Sequence, residues 1–359
     1  MGMIAIGAGG LDVAVAMATG KYYLQCPSVI QVNLTGQKAP WVSAKDIILK
    51  VLQELSVKGG VNKIVEYTGE GIATLSLTDR ATICNMGAEL GATTSVFPTD
   101  KRTLEYLKQQ GRENDYVEMK ADADATYDQV LEIDMSTLEP MVAKPHSPDA
   151  VVPARELEGM AINQVVIGSC TNSSFADMMR AAKILKGRKV AEHVSLVIAP
   201  GSSSILAMLS ENGALADMIQ AGARILECGC GPCIGMGQAP LSKGVSLRTI
   251  NRNFKGRSGT NDAGVYLVSP EVAALSAVKG CFSSMFEDDM YLEEVPSTPF
   301  IKNANFFIND YDPYTEVYMG PNIKPVPRGE KLAKNIQGKM VLKVGDNIST
   351  DHIVPSDSK

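Results

Sequence analysis

From about residue 155 onward the chain repeats one pattern, and that pattern leaves few folds open. NQVVIGSC is an apolar run that ends in a turn, and SSFADMMRAAKILKG has the spacing of the helix after it. HVSLVIAPGSSS is again a run into a turn, with a helix through SILAMLSENG. DMIQAGARILECGC reads as a helix and then a strand into a turn, VSLRTINRNF as a strand into a loop, and GVYLVSP as a strand whose helix is EVAALSAVKG. Strands that alternate with helices imply a mostly parallel sheet covered on both faces, so the expected class is α/β.

Earlier in the chain SVIQVNLTG alternates as a strand. Ser43–Leu55 has the pattern of an amphipathic helix capped by Ser43, a further helix is predicted from about Asp79 to Leu90 and ended by Gly91, and another over Thr99–Gln110. The polar stretch around 115–128 and the proline-bearing one around 144–153 mark a domain boundary. Residues 300–359 are rich in Asn, Pro and Tyr and read as a linker, with a strand-like KMVLKV at 339–344.

The 359 residues suffice for two or three domains. The net charge is −6 and no run of lysine or arginine occurs, which argues against nucleic acid or an anionic membrane as partner. The apolar opening, MGMIAIGAGGLDVAVAMATG, lacks a positive start and carries Asp12 in its middle, so it reads as strand, turn and helix rather than as a signal peptide. Its GAGGLD fails the dinucleotide fingerprint, because Asp12 stands where the third glycine belongs. Seven cysteines, mostly dispersed, point to a reducing compartment, the cytoplasm or else the mitochondrial matrix, where clustered thiols mean metal or redox chemistry. Both ends look abrupt, and a piece of a longer protein is expected.

In such a sheet, ligands bind outside the carboxyl ends of the strands. Cys170 follows one strand, and Cys228, Cys230 and Cys233 follow another, so both sets reach one edge. Four uses are open to them: buried free thiols; thiol–disulfide exchange at CGPC; a zinc site, for which His193 and His352 stand in no ligand spacing; or an iron–sulfur cluster. Arg252 and Arg257 sit on the loop after the next strand and suit a polycarboxylate clamp. Asn85 and Glu89 lie one helical turn apart among small apolar residues, where a carboxylate is either structural or proton-handling.

GSCTNSSF at 168–175, CGPCIGMG at 230–237, NRNFKGR at 251–257 and ATICNMGAELGATTSVFP at 81–98 occur in the order found in the aconitase family of iron–sulfur hydro-lyases, which the whole chain resembles. The resemblance implies α/β/α three-layer domains, with mostly parallel sheets around a cluster site. It divides the chain into the remnant of a first domain (1–27), a second α/β domain (28–148), a third carrying the cluster cysteines (149–305), and a linker with the start of a mobile domain (306–359). It implies a 4Fe-4S cluster held by Cys170, Cys230 and Cys233, with Cys228 a neighbour. Asn85 and Asn251 would stand beside the cluster, Glu89 would act as the acid, and Arg252 and Arg257 would hold the carboxylates of a small tricarboxylate. The implied reaction is citrate to isocitrate through cis-aconitate; the large subunit of 3-isopropylmalate dehydratase and homoaconitase are the alternatives. The family's catalytic serine belongs to a domain that DNISTDHI only begins, so the chain by itself is expected to lack the base.

Overall fold

The computed structural model describes residues 2–291, 295, 300, 301, 312–316, 318–325, 327–331, 333–346 and 348. Chain contacts divide it into one unit of residues 1–302 with 358–359, and another of 303–357.

The first unit opens with helix α1 (Gly10–Thr19), whose residues are all at least partly exposed. The strand expected before it does not form. Residues near it touch β3 (Thr94–Val96) through single bonds, such as Thr94 Oγ1 donating to Ala5 O at 2.8 Å, and build no ladder.

Strand β1 (Ser28–Thr35) buries Ile30, Val32 and Leu34, the period of two that SVIQVNLTG announces. Helix α2 (Ala44–Leu55) packs close by. Its start is fixed by Asp46, whose carboxylate accepts from the backbone N–H and hydroxyl of Ser43 at 2.7 Å each. Strand β2 (Lys63–Thr68), helix α3 (Leu77–Gly87), β3, helix α4 (Lys101–Gln109) and strand β4 (Gln129–Asp134) complete a four-stranded parallel sheet of order β3-β2-β1-β4. Helix α3 starts at Ser76 and runs on as a 3-10 turn, Ala88–Leu90, that ends at Gly91 with φ +74°.

Strands β5 (Met141–Ala143) and β6 (Val151–Pro153) pair antiparallel at the edge of a second sheet. β5 thus lies ahead of residue 149 yet joins the second sheet. Then come β7 (Gln164–Gly168), α5 (Phe175–Leu185), β8 (Ser195–Ala199), α6 (Ser203–Glu211), α7 (Ala214–Gln220), β9 (Arg224–Ile225), β10 (Val245–Arg248), β11 (Gly264–Leu267) and α8 (Pro270–Lys279). The order is β6-β5-β11-β10-β7-β8-β9, and the five strands from β11 to β9 are parallel. All five residues of β7 are buried, as a central parallel strand covered on both faces must be. After β7 the chain moves outward to β8 and β9, then returns to the other side of β7 as β10. The point where strand order reverses therefore lies between β7 and β10, where open α/β sheets bind ligands.

The two sheets share core. Cys233, Ile250 and Leu267 from the second sheet's part of the chain pack in the same apolar cluster as Ile30, Ile47 and Leu52.

The described residues of 303–357 form no helix or strand. KMVLKV, expected as a strand, is irregular, with Val341 92% exposed. Its alternation finds no partner strand among the described residues, and a lone strand leaves its backbone unpaired. Most of DNISTDHI lies outside the described residues.

Candidate functional site

The loops after β7, β9 and β10 meet at the carboxyl edge of the second sheet, and helix α3 of the first sheet faces them. Each loop is shaped by its own sequence.

The turn after β7 needs Gly168, whose φ is +136° and where a Cβ would lie 2.2 Å from the Ala199 carbonyl oxygen. Ser169 follows at φ +101°, a conformation that costs a residue with a side chain about 1–3 kcal/mol and that collects at functional sites. Cys170, exposed, comes next. Its Sγ lies 3.8 Å from Asn85 Oδ1, and the same oxygen accepts from Thr171 Oγ1 at 2.8 Å. Thr82 Oγ1 donates to Thr171 O at 2.9 Å. One face of α3 is thereby docked on the Cys170 turn.

The second loop carries Cys228, Cys230 and Cys233. A 3-10 turn, Gly231–Ile234, ends at Gly235, with φ +88° and the Ser258 carbonyl oxygen 2.2 Å from where a Cβ would lie. That close approach locks the cysteine loop onto the arginine loop. Arg248, fully buried at the end of β10, holds it from beneath: its guanidinium donates to Pro232 O at 2.5 Å and Gln238 O at 2.6 Å, and to Gln164 Oε1 at 2.8 Å. Burial lowers the Arg248 pKa to about 10, and the Cys233 thiol opposes this.

Cys233 is buried, Cys230 is exposed, and every cysteine is free. Burial raises the Cys233 pKa, and nearby Cys170 and Cys230 raise it further, whereas Arg248 and Arg257 oppose the shift. Cys233 thus senses the two thiols that the family resemblance groups with it. Burial raises the Cys228 pKa as well.

The third loop carries Asn251, Arg252 and Arg257. Glu89 is buried under it, and its Oε1 accepts from Asn251 Nδ2 and Arg252 Nε at 2.8 Å each. Burial raises the Glu89 pKa, and the charge and hydrogen bonds of Arg252, the bond from Asn251 and the charge of Arg257 oppose the rise. A raised carboxyl pKa is the direction an acid–base group needs. Arg252 is 40% exposed, and among the described residues only its Nε is engaged. Its two terminal nitrogens remain for a carboxylate. Arg257 keeps a buried Nε with no partner. A buried guanidinium donor without an acceptor is costly, and an anionic ligand would satisfy it.

Every site residue named from the sequence therefore lies on one of these three loops or on the α3 segment facing them. Sequence reasoning missed the residues behind the loops. Arg248 is one. Thr249 is another: its fully buried hydroxyl accepts from Gly168 N and donates to Gly168 O, at 2.9 Å each, tying the ends of β7 and β10 together. Lys45 is a third, fully buried near the start of α2. A lysine in the first turn opposes the helix dipole, and that misplacement is the signal that could have flagged it.

A cavity of about 1,190 Å³ lies elsewhere, lined by Trp41, Ser76, Asp79, Arg180 and Glu271 among others. None of the cysteines or loop arginines lines it.

The residues present suit an iron–sulfur cluster. Cys170 and Cys230 lie near enough for their charge to act on Cys233, which sits in the shared apolar core, and Arg257 acts on it too. Thiolate ligands are what such clusters require.

A family model described as the Aconitase family (aconitate hydratase) matches residues 1–158 and 153–280. The chain is similar to 3-isopropylmalate dehydratase large subunit 2 of Archaeoglobus fulgidus, 43% identical over 78% of this chain and 68% of that protein. The large subunit from Clostridium kluyveri is 44% identical over 79% of this chain and 68% of its own length. Mitochondrial aconitate hydratase of Schizosaccharomyces pombe is 37% identical, across 98% of this chain and 50% of its own length.

Proposed function

The chain belongs to the aconitase family and is a hydro-lyase, and on that premise we propose that its carboxyl-edge loops dehydrate and rehydrate a small hydroxylated polycarboxylate at a 4Fe-4S cluster held by Cys170, Cys230 and Cys233. The observation that carries the proposal is the convergence of Cys170 and Cys233 with Glu89 and its two partners, Asn251 and Arg252, at one sheet edge.

When bound, a cluster with one iron free of protein ligands supplies a Lewis acid for a hydroxyl and a carboxylate of the substrate. The chain's own residues do the rest. The free terminal nitrogens of Arg252 and the orphan Nε of Arg257 bind carboxylates and fix the acid's orientation. Glu89 holds or releases a proton at Oε2, since Oε1 is occupied by Asn251 and Arg252. Asn85 orients the Cys170 thiol through Oδ1. The base that takes the carbon-bound proton is expected from a further domain or a small subunit, as the large-subunit names of the relatives suggest.

For the substrate, the higher identity to dehydratase large subunits supports 3-isopropylmalate. Citrate is the second reading, because the match to an aconitate hydratase runs along 98% of the chain. The test is anaerobic reconstitution of the chain and of Cys230→Ser, followed by titration with each acid. About four irons and four sulfides per chain, lost in the variant, are expected. The acid bound ~10-fold or more tightly than the other identifies the substrate. Zinc without sulfide would overturn the proposal.

A further inference from the structure

We propose that Lys45 is a positioning residue of this site: acting through Thr249 and Ile250, it holds the Cys170 turn and the Arg252 loop in one register. The proposal rests on the functional reading above.

Lys45 belongs to α2, which packs against α3 and against β5 and β6 of the second sheet, and among the described residues its ammonium bonds to that sheet's part of the chain. Its Nζ donates to the carbonyl oxygens of Thr249 at 3.1 Å and Ile250 at 2.6 Å. No carboxylate among the described residues lies within ion-pair distance of it. A fully buried ammonium facing neutral carbonyls is expensive, because its solvation is lost without a touching counter-ion. Burial lowers its pKa to about 7, and an apolar side chain would avoid the cost but could donate to neither carbonyl oxygen.

Two lines of contact lead away from it. Along the first, Thr249 bonds through its hydroxyl to both the N–H and the C=O of Gly168 at 2.9 Å. Gly168 begins the turn that presents Cys170, with Ser169 held at φ +101° between them. Along the second, Ile250 is followed directly by Asn251 and Arg252, which both bond to Glu89 at 2.8 Å. One ammonium therefore sits at the root of the turn offering a thiol and of the loop offering the carboxylate clamp. These carbonyls lie beyond the last residue of β10, where the ladder no longer fixes them. Asp46, the next residue, anchors α2 itself to β5: its Oδ1 accepts from Met141 N at 2.8 Å. The lysine thus pulls from a fixed helix.

The test uses the reconstituted full chain and whichever of 3-isopropylmalate and citrate it binds more tightly. Lys45→Met is expected to keep its iron and sulfide and its folded circular dichroism, and to lose ~10- to 100-fold in affinity for the acid. Lys45→Arg, which keeps a donor for the two carbonyls, is expected to recover most of that loss. Wild-type affinity in a folded Lys45→Met chain overturns the proposal. So does a parallel fall of fold, iron and affinity that Lys45→Arg does not relieve, since that marks a purely structural lysine. Should Lys45→Met fail to fold, Thr249→Val carries the test: weakened binding with retained fold supports the relay, and unchanged binding overturns it. A wild-type chain that takes up no cluster or binds neither acid fails on the functional reading itself, and the role of Lys45 falls with it.

Discussion

At the scale of single residues, two substitutions separate chemistry from geometry. Glu89→Gln keeps the acceptor that Asn251 and Arg252 use and removes only the proton-carrying ability of the carboxyl. In the active enzyme, kcat is expected to fall by ~10²–10⁴ with the iron content unchanged, as measured by turnover beside metal analysis. Gly235→Ala tests the loop. A Cβ there would meet the Ser258 carbonyl oxygen at 2.2 Å, while at Gly237, with φ +70°, it would meet nothing within 4 Å. Gly235→Ala is therefore expected to abolish iron uptake. Gly237→Ala is expected to retain it and to lose only ~1–2 kcal/mol of stability in a denaturant titration. Glu89, Asn85 and the cysteines were legible because each lies in a short motif of chemically committed residues. Lys45 was not, because its partners are 204 and 205 positions away and are backbone oxygens, which leave no mark on a sequence.

At the scale of elements, legibility followed the local signals. Ser76, Ser174 and Ser269 each accept a bond from the backbone of the first helical turn, whereas the apolar pattern alone puts the start of α3 at about Asp79, after its actual start at Leu77. Ser76→Ala is expected to cost about 1 kcal/mol, seen as a lower denaturation midpoint with unchanged helix content. Elements without such signals were missed or misassigned. β5 and β6 have three residues each, too few to show an alternation, and only their pairing assigns them to the second sheet. KMVLKV fails for the opposite reason: it alternates well, but a strand exists only against a neighbour. The opening segment has the apolar character of a strand, and its few bonds to β3 are no substitute for a ladder.

At the scale of the molecule, the helices of the two sheets meet over a group of buried charges. Arg180 of α5 faces Asp79 of α3 at 3.7 Å and Glu271 of α8 at 3.8 Å, and Lys38 reaches Asp79 at 3.2 Å. The acids respond oppositely. Burial is the largest influence on both. For Asp79 it is outweighed by Lys38, Arg180 and the bonds from Ser76, so its pKa falls well below the usual carboxylate range. For Glu271 burial wins over Arg180, and the pKa rises to about 7; its Oε2 is buried without a partner. The signs fix the pH dependence. Glu271 binds its proton more tightly folded than unfolded, so its contribution is greatest below the unfolded value of 4.5 and is lost as pH rises toward about 7. Asp79 stabilises above its unfolded value of 3.8, and that share is lost as the medium becomes more acid. Stability carried by this pair should therefore peak between those limits, near pH 4 to 5. Glu271→Gln imitates the protonated acid at every pH. Its thermal midpoint is expected to exceed that of the wild type at pH 8, by an amount equivalent to ~2–3 kcal/mol, and to converge with it by about pH 4.5. A midpoint below that of the wild type at pH 8 would mean that the ionised carboxylate, through Arg180, helps to hold the helices of the two sheets together.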